Sequence, residues 1–497
     1  MKMFLTFKKY ILALMLAAPL AACLEKLPED QIPEDEAIRT LDEANQAVLG
    51  IYASFKSGSL YSGLLTLLPD IQADLVQAVE GYTNTYGDIW RWEILSSNTE
   101  ITSVYGSLYS VIGKCNFFLD YMDSLRASVS EADRQDLLEL EGEARFARAL
   151  AYSELIKLFC KAYDPETADS ELGVALVKSY HNPGRLIRSS LKDSYQFVLD
   201  ELAIAAEQIQ FDNTNNAVYF TKSLVNALYA RIYLYMQDWD KAIEYSTKVI
   251  DDRYLTLSSA TTMYSSAQSY YEYMWSNDMA TEIIWKVGFT TTSFGGALGR
   301  VFLNYDYVSF TPDYVPASWV LNLYSSEDLR YDTFFSRQPT GYDHGLEWPL
   351  VIKYLGNESF IQVGILHVNM PKVFRLSEQY LIRAEAYCRK RQYNAAAKDI
   401  TTLRQARYTT YSSTNLNESN WLQTISDERV RELFMEGFRL QDLKRWHKGF
   451  ERSSQSYTVS PGNKLKVDAD NALFVWPIPQ HELNAPDSEI QPNESNK

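Results

Sequence analysis

Cysteine and histidine are scarce in this chain, which has four cysteines and five histidines among its 497 residues. Besides Cys23, the cysteines are Cys115, Cys160 and Cys388, each inside an apolar, helix-like run. Isolated thiols do not build a disulfide framework, and no Cys-x-x-Cys pair is present to hold zinc. We therefore predict no disulfide scaffold, and we expect the three later cysteines to be small buried apolar residues.

The short motifs that mark common enzyme classes are also missing. The sequence contains no Gly-x-Ser-x-Gly, no His-Glu-x-x-His, no phosphate loop and no dinucleotide fingerprint. Residues 468–471 read DADN, which hints at calcium, but the following glycine and the distant glutamate of an EF-hand loop are absent. These absences predict a protein with no cofactor, no bound metal and no catalytic residues.

Long apolar runs are absent beyond the amino terminus, where residues 10–20 form an apolar run after a lysine-bearing start. A run of about a dozen residues is too short to span a bilayer as a stable helix. It ends at LAAC, residues 20–23, which looks like the lipobox of bacterial lipoproteins. Residues 1–22 are therefore predicted to be a signal peptide, with cleavage before Cys23 and acylation of that residue. The alternative is an ordinary signal peptide in which Cys23 is incidental.

Positive charge is in deficit, with a formal net charge of −17. Long-range repulsion would oppose binding to a polyanion, so we predict no nucleic-acid partner. Residues 23–38 are acidic and carry two prolines, which predicts a tether without a core. Over the whole chain, 46% of the residues are hydrophobic, which is typical of a globular protein. We assign residues 39–497 to the globular part.

Two helical segments repeat one another, around residues 221–250 and 377–407. The first carries Ala230, Tyr233, Trp239 and Ala242, and the second carries Ala384, Tyr387, Tyr393 and Ala396. Small residues at fixed places let two antiparallel helices approach, and this spacing is typical of a tetratricopeptide helix pair. Between the two units, residues 258–316 lack helical periodicity and are rich in Tyr, Ser, Thr and Gly, which predicts a loop-rich segment.

The charged segment 425–446 carries apolar residues at helical spacing and is predicted to form one helix. Its distinctive positions are Glu428, Arg429, Glu432, Leu433, Glu436, Gly437, Arg439, Asp442, Leu443, Arg445 and Trp446. Together with the repeat at 377–407 and the WPIP sequence at 476–479, this pattern resembles the SusD/RagB family.

The resemblance implies a single mostly α-helical domain over residues 39–497, with four tetratricopeptide-like helix pairs and an irregular, loop-rich ligand-binding half. It also implies a lipid-anchored, surface-exposed position at the outer membrane. A SusC-like TonB-dependent transporter would be the partner, and a captured nutrient would be the cargo.

The carboxylates of the charged segment have two interpretations. Glu428, Glu432 and Glu436 are four residues apart and would share one helix face. Paired carboxylates could hydrolyse a glycosidic bond, with Glu432 and Glu436 as the pair. A structural ion network is favoured instead, because interleaved arginines keep carboxylates ionised whereas a general acid needs a raised pKa.

The candidate ligand site is read from aromatic residues in non-periodic stretches. Sugars present flat C–H faces that stack on exposed rings, and planar polar side chains fix their orientation. The first set is Tyr82, Tyr86, Trp90, Arg91 and Trp92, with Asn84 and Asp88 among them, and the second set is Tyr270, Tyr271, Tyr273 and Trp275, with Tyr305 and Tyr307 beyond. Trp90 and Trp92 would face the same way on an extended backbone. The competing interpretation is that these rings belong to the core.

Four functions remain open from the sequence. The leading hypothesis is a non-enzymatic binding protein that captures an oligosaccharide for the transporter, and the second is the same role for peptides. A glycoside hydrolase and a tetratricopeptide scaffold that binds only another protein are the remaining two.

The lipid anchor gives the first testable prediction. Replacing Cys23→Ala removes the acylated residue, so the protein is expected to move from the membrane fraction to the soluble periplasmic fraction. The measurement is fractionation of cells that lack any transporter partner. Unchanged membrane association in those cells would contradict lipid anchoring through Cys23.

Overall fold

Helices form most of the regular structure. The computed structural model describes residues 37–79, 84–213, 216–342, 347–411, 413–455, 463–486 and 488–497. The helices α1 to α10 span Leu41–Ser54, Leu64–Gln72, Gly87–Trp90, Thr99–Asp120, Met122–Ser128, Arg134–Phe159, Leu191–Gln208, Lys222–Tyr235, Trp239–Ile250 and Tyr270–Asn277. The helices α11 to α19 span Arg300–Leu303, Ser318–Leu321, Arg330–Phe334, Glu358–Ile361, Leu376–Arg389, Tyr393–Gln405, Trp421–Leu433, Arg439–Arg445 and Gln480–Leu483.

The strands are short and pair only in antiparallel twos within the described ranges. Strands β1 to β10 span Val76–Ala78, Leu172–Ala175, Arg188–Ser190, Ile283–Lys286, Tyr314–Pro316, Phe335–Pro339, Glu347–Val351, Lys372–Arg375, Phe450–Arg452 and Leu465–Val467. β1 pairs with β5, β2 with β3, β4 with β8, β6 with β7, and β9 with β10. Such ribbons are not stable alone, so the helices and loops around them must supply the burial.

The long helices form an array of antiparallel neighbours. α6 and α7 run in opposite directions, because Glu141 near the start of α6 bonds Gln208 at the end of α7, while Arg148 bonds Glu201 farther along. α8 packs on α9, α9 on α15, and α15 on α16. Side-chain oxygens of Ser190, Thr221 and Asp238 cap the starts of α7, α8 and α9. Each cap satisfies a backbone N–H that has no partner inside its helix.

The two repeated segments each form a helix pair in the structure. α8 with α9 and α15 with α16 bring together the small residues Ala230, Ala242, Ala384 and Ala396, all with no exposed surface. Across the second pair, Arg383 donates to both oxygens of Asp399 at 2.7 and 2.9 Å. The three later cysteines are also buried, as expected.

The loop-rich segment 258–316 forms part of the irregular half of the molecule. It contains the short elements α10, β4, α11 and β5. Most of its buried apolar residues pack with those of β1, β6, β7 and α13 in a hydrophobic cluster separate from the main helical core, while Ile284, Trp285, Val287 and Phe289 join that core. β4 pairs with β8, which runs directly into α15, so this pairing joins the irregular half to the helical array.

The segment 425–446 is not one helix, and that prediction is wrong. α17 ends at Leu433 and α18 begins at Arg439. Between them, Gly437 takes a φ of 82°, and its N–H donates to Asp70 Oδ2 at 3.0 Å. The tertiary contact with α2 therefore replaces a helical turn, and glycine permits the left-handed backbone at little cost.

None of the helices in the described ranges combines the length and apolarity that a membrane span requires.

The break at Gly437 gives a prediction about stability. In Gly437→Ala the new Cβ would lie 3.0 Å from the Leu65 carbonyl oxygen, at a positive φ. We expect the free energy of unfolding to fall by about 1–3 kcal/mol. The control is Gly106→Ala on the exposed side of α4, where no atom lies within 4 Å of the added Cβ. That change is expected to stabilise the protein by about 0.5–1 kcal/mol, as in other helices. Equal effects in denaturant unfolding would contradict the account of the break.

Candidate functional site

The carboxylates of the charged segment meet arginines at the junction of the two halves. Glu432 accepts hydrogen bonds from Arg375 at 2.8 Å, from Arg407 at 2.9 Å and from Arg330 at 3.0 Å. All four side chains are at most 1% exposed. A buried carboxylate among three guanidinium groups is typical of a structural ion cluster. Each charge loses its hydration on burial, and only the attraction of its neighbours offsets that loss.

The neighbouring carboxylates are paired in the same way. Glu428 accepts from Arg404 at 2.6 Å and Arg431 at 2.7 Å, and also from Arg330. Glu436 lies beyond the end of α17, yet it still accepts from Lys353 at 2.6 Å. We call the cluster of Glu282, Arg330, Lys353, Arg375, Arg404, Arg407, Glu428, Arg431, Glu432 and Glu436 the arginine–carboxylate network.

The network disfavours acid–base catalysis. Burial alone would raise the pKa of Glu432, but the charges of Arg407, Arg375 and Arg330 outweigh it and hold that pKa well below the ordinary 4.5. The pKa of Glu428 is held low in the same way, against burial, by its arginines. A general acid needs the opposite shift and access to substrate. The predicted structural role of these carboxylates therefore fits their geometry.

The prediction that Trp90 and Trp92 form an exposed platform is wrong. Trp90 is fully buried and its Nε1 donates to the Val76 carbonyl oxygen at 3.3 Å. Trp92 is 8% exposed and packs against Phe450 and Phe474. The backbone is not extended here, because α3 and the turn after it send the two rings into different hydrophobic clusters.

Tyr271 and Trp275 are also core residues, so their assignment to an exposed site is wrong. Tyr271 is fully buried under the guanidinium of Arg407, whose carbon lies 4.1 Å from the ring centre. Trp275 is 4% exposed and packs edge-on to Phe334. Both rings lie on the inward face of α10.

Two members of the first candidate set have other outcomes. Arg91 is partly exposed, and its guanidinium is paired with Asp88 at 2.5 Å and Glu93 at 2.9 Å. Tyr82 lies outside the described residues, as does Cys23. Ligand binding by Arg91 and Tyr82 stays a prediction.

Tyr305 and Tyr307 are two candidates that present rings to solvent. Tyr307 is 65% exposed and its hydroxyl donates to the Gly364 carbonyl oxygen at 3.3 Å. Tyr305 is partly exposed and stacks on Phe310 with ring centres 4.5 Å apart. The carboxylate of Asp306 accepts two N–H groups of the following residues and fixes the turn that carries these rings.

A second group of exposed rings lies on the loop before α10 and on its outward face. Tyr264 stacks on Tyr273 with ring centres 3.8 Å apart, and it meets Tyr270 edge-on at 5.6 Å. Tyr264 and Tyr270 are each about half exposed. The second candidate set includes Tyr270 and Tyr273 and omits Tyr264. The capping box of Ser269 and Glu272 fixes the start of α10, and this signal could have separated the outward rings of that helix from the inward ones.

Both groups of rings adjoin the turn at residues 357–364. Gln268 donates to Glu358 at 3.2 Å on one side, and Tyr307 reaches Gly364 on the other. We define the aromatic face as Tyr264, Tyr270, Tyr273, Tyr305 and Tyr307. Exposed rings with planar amide and carboxylate groups between them are suited to hold flat apolar faces while hydrogen-bonding hydroxyls.

Comparison with known proteins gives a consistent result. Residues 342–494 match a family described as "SusD family", and residues 25–234 match one described as "Starch-binding associating with outer membrane". SusD-like protein P25 of Formosa agariphila is 24% identical over 468 residues, covering 85% of this chain and 86% of the relative. The starch-binding protein SusD of Bacteroides thetaiotaomicron is 24% identical over 477 residues, covering 80% and 81%.

Solved structures show the same fold. A SusD superfamily protein from Bacteroides thetaiotaomicron superposes with a TM-score of 0.79 at 25% identity, over 91% of this chain and 99% of that one. The surface glycan-binding protein A from Bacteroides fluxus superposes with a TM-score of 0.67 at 17% identity, over 91% and 99%. These matches support membership of the SusD/RagB family, and the predicted mostly α-helical SusD-like fold is confirmed.

The buried ion pairs predict a defined loss of stability in acid. Burial would raise the pKa of Glu385, but Arg445 and its neighbours lower it to about 2 from 4.5. A lowered native pKa means that this stabilisation is complete above the unfolded value and is lost as pH falls from about 4.5 towards 2. The loss attributable to Glu385 is roughly 3 kcal/mol.

The measurement is the free energy of unfolding between pH 2 and pH 6. Glu385→Gln is expected to be less stable than the native protein at pH 6 and to show a shallower acid dependence. The matched control is Glu131→Gln, an exposed glutamate paired only with Arg134 on the surface. An acid limb of unchanged steepness in Glu385→Gln would contradict the assignment.

Proposed function

We propose that this protein binds carbohydrate at the aromatic face and does not alter it chemically. The observation that carries the proposal is the group of exposed tyrosines around the 357–364 turn. Their rings contact one another or Phe310, and the Tyr307 hydroxyl donates to a backbone carbonyl, so little side-chain freedom is lost when a ligand stacks on them. Pre-ordering of this kind lowers the entropic cost of binding.

The relatives support the same ligand class. One matching family is described as starch-binding, and one relative is the starch-binding protein SusD. The buried, fully paired carboxylates add a physical reason against hydrolysis, since the acid and base that a glycosidase requires would have to come from residues outside the network.

The cellular role that we propose is delivery. The protein would be anchored through acylated Cys23 at the outer surface of the outer membrane. The tether predicted over residues 23–38 would end before Ile38, because Ile38 is 3% exposed and packs in the main hydrophobic core. The protein would pass an oligosaccharide to a SusC-like TonB-dependent transporter. The description of one matching family as associating with the outer membrane supports this location.

The aromatic face gives a direct binding prediction. Replacing Tyr307→Ala or Tyr270→Ala removes one stacking surface, which is worth about 1 kcal/mol, so affinity for a bound oligosaccharide is expected to fall roughly fivefold or more. The melting temperature is expected to change little, because these rings are largely exposed. The measurement is calorimetric titration with ligands chosen from an oligosaccharide array, with a peptide array run in parallel.

The matched control is Tyr180→Ala. Tyr180 is 50% exposed and packs against Phe117 of α4, in the helical half. It is expected to bind the oligosaccharide as the native protein does. Normal affinity in both aromatic-face variants would contradict the proposed site, and binding of peptides alone would contradict the proposed ligand class.

A further inference from the structure

A cavity lies in the helical half, between α1 and α6. Its volume is about 400 Å³, and it shares no lining residue with the aromatic face. That volume lies in the range of small-molecule sites. Phe211 and Tyr219, which lie between α7 and α8, line one side of the cavity.

The charged residues that line this cavity are all acidic. They are Asp42, Asp136, Glu139 and Glu143, and neither lysine nor arginine is among the described residues that line it. Glu139 is engaged by the chain itself, since it accepts the N–H groups of Gln210 at 2.9 Å and Phe211 at 3.1 Å. The cavity therefore has a negative potential at one wall that no lining cation offsets.

Glu143 differs from the other buried carboxylates of the helical array. It is 5% exposed, and its hydrogen-bond partner is the hydroxyl of Tyr52, which also accepts the N–H of Phe220 at 2.9 Å. By contrast, Glu141 and Glu201 are paired with arginines. Burial raises the pKa of Glu143 to about 7, the charge of Glu139 adds to this shift, and no lysine or arginine of the described ranges is paired with Glu143 to oppose it.

Apart from Asn45, the remaining walls are formed by apolar and aromatic side chains, several of which are exposed. Leu49, Phe211 and Tyr219 line the cavity and are each between 43% and 52% exposed. The ring of Tyr219 meets Tyr52 edge-on, with centres 6.2 Å apart. An apolar body can lie against these surfaces, and the ring faces attract a cation as well.

We propose that this cavity binds an organic ammonium ion, with the cationic group at Glu143 and the apolar body against Leu49 and Tyr219. The ligand supplies the positive charge that the protein lacks at this carboxylate, through a charge-assisted hydrogen bond. A neutral oligosaccharide has no such group, so the site is distinct in chemistry from the aromatic face.

Protonation of Glu143 couples binding to pH. The titratable groups around Glu143 are Asp42 and Tyr52 from α1, Asp136 and Glu139 from α6, and Tyr219, which lies just before α8. An ammonium ion favours the ionised carboxylate, so affinity should rise as pH increases through 7.

The test titrates the purified full-length chain with phenethylammonium, 2-phenylethanol and phenylacetate, which share one ring and differ in charge. The ammonium ion is expected to bind saturably and at least about fivefold more tightly than the alcohol, with the carboxylate weakest. Its affinity is expected to rise several-fold from pH 5.5 to pH 8.5.

Two variants locate the site. Glu143→Gln is expected to abolish both the preference for the ammonium ion and its pH dependence, and Tyr219→Ala to weaken binding without loss of folding. Glu166→Gln, at an exposed position outside the cavity, is the control. Equal binding of the three probes, binding unchanged in both variants, or no saturable binding would each overturn the proposal. None of these results bears on carbohydrate binding at the aromatic face, since the two sites share no residue.

Discussion

The arginine–carboxylate network around Glu432 is the interaction on which the arrangement of the two halves depends. Glu432 lies on α17, Arg407 follows α16, and Arg375 ends β8. Glu282, next to β4 in the loop-rich segment, accepts from both of those arginines at 2.8 Å. Because each buried charge is stabilised only when its partners are in place, the cluster requires the irregular half to meet the helical array in one way.

This constraint separates scaffold from binding surface. The carboxylates of the arginine–carboxylate network, which could otherwise serve as catalytic groups, are buried and paired with arginines or lysine inside the molecule. The exposed rings of Tyr264, Tyr270 and Tyr307 lie instead on loops and on α10 of the irregular half. Rigid elements that carry variable loops allow the ligand surface to change while the core is kept.

The parts that the sequence predicted correctly are those with long periodic patterns. The spacing of Ala230 and Ala242, and of Ala384 and Ala396, predicts helix pairs because small residues at an interface leave a repeating pattern. The interleaved charges of residues 425–446 likewise predict an ion network. The helix break at Gly437 could not be read there, because it depends on Asp70, which is distant in the chain.

The errors in the candidate site have a common physical reason. An aromatic residue in a short, non-periodic stretch does not show from the sequence which way its ring points. Trp90 and Tyr271 point inward because α3 and α10 are short helices packed on the hydrophobic cluster of the irregular half.

The most direct test of the central claim, that the protein binds carbohydrate without altering it, is product analysis after incubation with a bound polysaccharide. The account predicts saturable binding and recovery of the polymer at its original length, from the native protein and from folded Glu436→Gln alike. Shortening of the polymer by the native protein, lost in that variant, would contradict it.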